Sequence, residues 1–290
     1  MNSYSKILFD PKRAVGVGIA ICSLVLFQMG YVIYHQLQDV PSNHNIILLL
    51  QATFTDVFVN HVTAEMIINA FITFSVFTLG YQVFNQYFRY KGMKELFFQM
   101  EELDLSTEYS ERYKSLNIKI KVISNQNKIA MSAGFFKSDI ILSTSLLDQF
   151  NDEEIRAIIY HEYYHCFKRH PFYTVLLKIL SECYVFLPVI KSLVNYYEIQ
   201  MELKADQYVI EQMKSTRQIG NVLLNLIKEH KSEPLFKGVH LAHVAINYRL
   251  QQILTPDTKL IIPILDKHTI LISLITPLIM GIIILIINCT

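Results

Sequence analysis

Few charges, no strong charge imbalance and no cysteine pairing pattern mark this 290-residue sequence. Only 18% of residues are charged against 52% hydrophobic, which is too apolar for the surface of an ordinary soluble domain. Membrane spans are therefore the first expectation. A formal net charge of +1 supplies no basic field, so no nucleic-acid partner is expected. The four cysteines, Cys22, Cys166, Cys183 and Cys289, form neither a Cys-x-x-Cys pair nor a secreted disulfide framework, and free thiols are expected. No internal repeat, low-complexity tract or Gly/Ser linker interrupts the chain.

What is present begins with apolar runs. Ala14 to Tyr34 has 21 residues without a charge, enough for a helix to cross roughly 30 Å of hydrocarbon. Lys6, Lys12 and Arg13 precede it. The run exceeds a signal-peptide core and no small-x-small cleavage site follows, so it reads as a retained anchor. Met66 to Phe84 is a second charge-free run, followed by Arg89, Lys91 and Lys94. The positive-inside rule then places the N terminus and the chain from 89 onward in the cytosol of a cell, expected to be bacterial. Ile46 to Val59 is only 14 residues long and carries Asp56, so it reads as an interfacial helix in an outside loop, 35–65. Ile270 to Ile287 adds 18 apolar residues that should leave the C terminus outside.

The expected organisation is an N-terminal membrane region over 1–88, a cytosolic domain over 89–265 and a final span over 266–290. Within the cytosolic part, Glu95 to Leu105 has an amphipathic helical pattern. Ile118 to Ser124 alternates as a half-exposed strand, and Met131 to Phe136 and Ile140 to Ser143 suggest two more strands. Gly134 and Lys137-Ser138-Asp139 mark turns.

A helix from about Asp152 to Arg169 follows, with Asn151 as N-cap, Glu154 as capping-box partner and Pro171 beyond its end. It carries His161-Glu162-Tyr163-Tyr164-His165. Residues four apart share one helix face, so both imidazoles can bind one ion. Glu162, beside the first ligand, is placed to act as general base. Zinc needs a third protein ligand, and Glu198 and Glu202 both lie on a downstream helical run. Spacing alone does not choose between them. Asp206, one turn past Glu202, can accept the second N–H of a ligand histidine.

His161-Glu162-x-x-His165 with Glu202-x-x-Ala205-Asp206 resembles the gluzincin pattern of HtpX-type membrane proteases and BlaR/MecR-type antirepressor peptidases. The stretch from Met131 through Asn151 into the motif helix is similar to the BlaR/MecR-type domain in order and spacing, over roughly residues 118–211. The resemblance implies Glu202 as third ligand, one Zn2+ per chain and a mainly α-helical integral membrane protein carrying a small α+β gluzincin-like zinc peptidase domain. Two departures stand out. The chain ends three residues past its last apolar run, so the outside penicillin-binding sensor and β-lactam sensing are not expected. The Pro-rich anchor usual before the third strand is also missing.

The expected activity is that of a zinc metalloendopeptidase; the resemblance to gluzincins implies a substrate lying extended along an edge strand, for which Ile129 to Phe136 is the candidate. Its substrate would be a cytosolic or membrane-adjacent polypeptide: a repressor, a membrane protein or a precursor peptide. The other partner is the lipid bilayer. The rival reading is a receptor or immunity-type scaffold that keeps the zinc fold without turnover, against which the intact Glu162 argues. His240, His243 and Arg249 are candidates to stabilise the transition state, although their spacing does not show it. His170 reads as solvent-facing or packing, Cys166 as core, and Tyr196, Tyr197 and Tyr208 as packing. Phe172 to Tyr197 is apolar but contains Lys178, Glu182, Pro188 and Lys191. It must return to the side it left if Glu202 is to join His161 and His165, which predicts a re-entrant or interfacial hairpin.

Overall fold

The computed structural model describes residues 11–39, 62–134, 137–230, 239–255, 260, 262 and 267–288. The expected interfacial helix at 46–59 lies outside them. The chain is mostly helical with a small sheet, and it divides into two compact units.

The helical unit comprises Lys12–Asn85, Leu177–Val194 and Pro263–Thr290. It contains α1 (Pro11–Asp39), the first part of α2 (Val62–Gln99), the hairpin between α6 (His170–Cys183) and α7 (Pro188–Met213), and α10 (Lys267–Asn288). Among the described residues one stretch, Arg13–Tyr31 in α1, is long and apolar enough to cross a membrane. The other two expected spans are helical, within α2 and α10. Pro188 opens α7 rather than breaking a helix, a first-turn position where a missing N–H costs nothing. Hydroxyls satisfy backbone groups around the hairpin tip. Ser75 donates to the Cys183 carbonyl (3.4 Å), Thr276 donates to the Phe186 carbonyl (3.4 Å), and Val189 N–H donates to Ser273 Oγ (2.9 Å). Gln82 donates to the carboxylate of Glu182.

The sheet unit holds Gln86–Leu176 and Asn195–Ile262. The amphipathic run expected from Glu95 is divided in two. Its start completes α2, and α3 (Leu103–Arg112) begins after a break at which Glu101 bridges to Ile123. The sheet contains β1 (Ile120–Ile123), β2 (Ala130–Ala133) and β3 (Asp139–Ser143) in the order β1-β3-β2, with β1 parallel and β2 antiparallel to β3. Gly134 follows β2 at φ +129°, where a Cβ would run into the Lys137 carbonyl, so only glycine suits this turn.

One edge of this sheet is sealed. Ile120 and Val122 donate their N–H groups to Ser110 Oγ and Ser106 Oγ of α3, at 3.1 and 2.9 Å, and Glu102 N–H donates to the Val122 carbonyl at 2.8 Å. Among the described residues the β2 edge is not sealed in this way, although the Ser132 backbone bonds Glu162. Ser143 N–H donates to Ile129 O, so Ile129, Met131 and Ala133 bond inward to β3. By the alternation of an antiparallel ladder, the backbone groups of Ala130 and Ser132 point to the open edge.

Beyond the sheet come α4 (Thr144–Gln149), α5 (Asp152–Phe167), α8 (Arg217–His230) and α9 (Val239–Leu254). Asn151 Oδ1 accepts from the N–H groups of Glu153 and Glu154, and Glu154 returns a bond to Asn151 N–H, completing the expected capping box. The helix ends at Phe167, two residues earlier than expected, because Arg169 turns left-handed at φ +56°. Its core face carries Ile155, Ile158, Ile159 and Cys166, packed with Ile120, Val122, Ile140 and Leu142 of the sheet. Burying side chains of this size contributes roughly 1.5–3 kcal/mol each. That packing fixes α5 against the sheet, and with it the direction of His161 and His165.

Candidate functional site

His161 and His165 are both buried, one helical turn apart on α5, and Glu202 reaches them from α7. His161 Nε2 lies 3.1 Å from His165 Nε2 and 3.3 Å from Glu202 Oε2, and His165 Nε2 lies 3.5 Å from Glu202 Oε1. Ligands held tetrahedrally at the usual zinc distances stand about 3.3 Å apart. Two imidazole nitrogens and one carboxylate with these separations fit zinc by donor chemistry and spacing, and they leave a fourth direction for water or substrate. Of the two carboxylates that spacing left open, it is Glu202 that joins this group.

Asp206, fully buried on α7, sits behind the group. Its Oδ1 is 2.9 Å from His161 Nδ1, close enough for a charge contact, although the N–H is not aligned on the oxygen as a hydrogen bond requires. Arg249 from α9 grips Asp206 through Nε (2.6 Å) and a terminal nitrogen (2.8 Å), and lies 3.0 Å from Glu202 Oε2. Its donors are thus committed to the two carboxylates, giving it the place of a counter-charge within the site. His240 and His243 lie on α9, but their side chains are outside the described residues.

The electrostatics follow from this packing. Burial opposes charge on His161, yet the neighbouring Asp206 and Glu202 carboxylates favour its charged form and raise it to about 10. Burial dominates at His165 and lowers it to about 3, keeping the ring neutral. Glu202 and Asp206 remain ionised despite burial, chiefly through Arg249 and then His161. Burial pushes Glu162 up to about 7, with the Glu202 charge adding to the rise while His161, Arg249 and a backbone hydrogen bond from Ser132 oppose it.

Glu162 lines a cleft of about 500 Å³ together with His161, His165 and Glu202. One wall is β2, through Ala130, Met131 and Ser132; Phe150, Ile158 and Val222 add apolar surface. A second cavity of about 180 Å³ shares Met131, Ser132, Pro171 and Val175 with the first, and so continues the opening along β2.

His170 packs against the rings of Tyr164 and Tyr197 and lies outside the His161, His165 and Glu202 group, as the packing reading expects, but it does not face solvent. It is buried at the start of α6, with its Nδ1 2.7 Å from His165 Nδ1. Its nearness to His165 follows from its opening α6 rather than continuing α5. The left-handed turn at Arg169 was the missing signal. Cys166 belongs to the core, Tyr196 and Tyr197 are buried, and Tyr208 packs among the rings of Tyr160, Tyr163 and Tyr164.

Two buried histidines and a partly buried carboxylate, with a second acidic residue behind them and a glutamate in the adjoining cleft, define a site of the metallopeptidase kind. The model of the BlaR1 peptidase M56 family matches residues 29–253, and the chain belongs to that family of peptidases. No curated protein matches the chain.

Proposed function

We propose that this protein is a membrane-embedded zinc endopeptidase that cleaves a cytosolic or membrane-adjacent protein or peptide, as a step in regulated proteolysis. The observation that carries the reading is the mutual spacing of the His161, His165 and Glu202 donor atoms, 3.1 to 3.5 Å, beside the glutamate of the same motif. A zinc ion on these three residues would polarise a peptide carbonyl and acidify water. Glu162 takes the proton from the attacking water and delivers it to the leaving amine. An extended substrate pairs with the outward backbone groups at the β2 edge, which brings its peptide bonds past Glu162. Asp206 and Arg249 hold His161 and Glu202 in place.

Membrane insertion is supported by apolar side chains turned outward on the helical unit, including Phe27 on α1, Phe77 on α2 and Leu274 on α10. The hydroxyl partners at the hairpin tip support a re-entrant hairpin, since backbone groups away from water need partners within the protein. With the charge pattern of the sequence, the site then faces the cytosol.

Comparison of protein termini in cells carrying wild type or Glu162→Gln tests the activity. New termini that disappear with the variant identify the substrate, and identical terminomes from both would reject turnover. Cysteine labelling at positions 168 and 204 tests the hairpin, since labelling from opposite sides of the membrane would refute it.

A further inference from the structure

Glu162, Glu202, Asp206 and Arg249 serve the zinc reading above around His161 and His165, and His170 has no role in it. The two Nδ1 atoms of His165 and His170, 2.7 Å apart and buried, can share only one proton. His165 turns its Nε2 toward His161 and Glu202, so its Nδ1 carries the proton and donates it to His170. His170 is itself held. Its ring stands edge-on to Tyr164 and Tyr197, with centroids 5.6 and 6.0 Å away. The chain reaches it through Arg169 in a left-handed conformation that non-glycine residues rarely adopt. Among the described residues, His170 is not part of the group whose donor atoms converge on one point.

We infer that His170 is a positioning residue: it accepts the His165 Nδ1 proton, fixes the tautomer and rotation of that ring, and thereby sets how tightly the site holds zinc. The inference rests on the zinc reading and goes beyond it, because it makes the second histidine's orientation depend on a neutral imidazole rather than a carboxylate.

Zinc affinity of the full-length protein in detergent, measured by competition with a chelator, tests it. His170→Phe keeps the ring packing and removes the acceptor, so it should weaken zinc about 10–100-fold. His170→Asn returns an acceptor oxygen near the Nδ1 position and should restore affinity to within about threefold of wild type. The cobalt-substituted His170→Asn protein should keep the wild-type ligand-field spectrum. Wild-type affinity in His170→Phe, equal losses in both variants, or a changed cobalt spectrum in His170→Asn would each overturn the inference. His161→Ala is the reference. Zinc binding unchanged by that substitution would reject the zinc site itself, whereas loss in His161→Ala with none in His170→Phe would reject only the role of His170.

Discussion

His161 and His165 sit one turn apart on the same helix, yet they are backed by opposite kinds of group. Behind His161 is a charged pair, Asp206 with Arg249, brought by α7 and α9. Behind His165 is a second imidazole, delivered by a tight turn five residues along the chain. One partner depends on long-range packing and the other on a local backbone reversal. Equivalent positions in a motif can therefore acquire different chemistry, because helix spacing fixes only the direction of each ring.

The largest effects should appear where that difference does not matter. His161→Ala and His165→Ala should both abolish binding of about one zinc per chain, and Glu202→Ala should weaken it strongly, while Glu198→Ala and Glu162→Gln retain it. Metal analysis of the purified variants decides this, and equal zinc in all of them would remove the basis of the site. Glu162→Gln should nevertheless lower peptide cleavage roughly 10²–10⁴-fold, read as the rate of new terminus formation.

Asymmetry should emerge at the supporting groups. Arg249→Met leaves Asp206 and Glu202 buried without their cation, and should cost about 3–5 kcal/mol of stability. Thermal unfolding in detergent measures it, and an unchanged midpoint would mean that the pair is dispensable. Asp206→Ala should weaken zinc by about 10–100-fold through its hold on His161, a loss visible in chelator competition. If that variant bound zinc like wild type, the charged side of the site would contribute less than the neutral one. The smallest effect lies at the start of the helix that both histidines share. Asn151→Ala removes the N-cap and should cost about 1 kcal/mol in chemical unfolding without altering zinc stoichiometry.

Local signals made much of the sheet unit legible. The alternation at Ile118 to Ser124 located β1, the Asn151 and Glu154 pair located the start of α5, and four-residue spacing put His161 and His165 on one face. Two limits shifted for physical reasons. Glu95 to Leu105 was divided because Glu101 pairs with the sheet, and α5 ended early because Arg169 turned left-handed. Neither interaction has a local pattern that reveals it.

The sequence by itself determined the elements and the chemistry on offer: two histidines and a glutamate at helical spacing, a carboxylate run downstream, and long charge-free apolar stretches. Tertiary structure decided which groups meet. It chose Glu202 over Glu198 by the packing of α7, and paired Arg249 with Asp206 across 43 positions of chain. It also turned His170 back onto His165 and left β2, rather than β1, as the edge beside Glu162. Periodicity constrains directions within one element. Contacts between elements depend on turns and on burial shared among distant residues, and those appear only when the chain is folded.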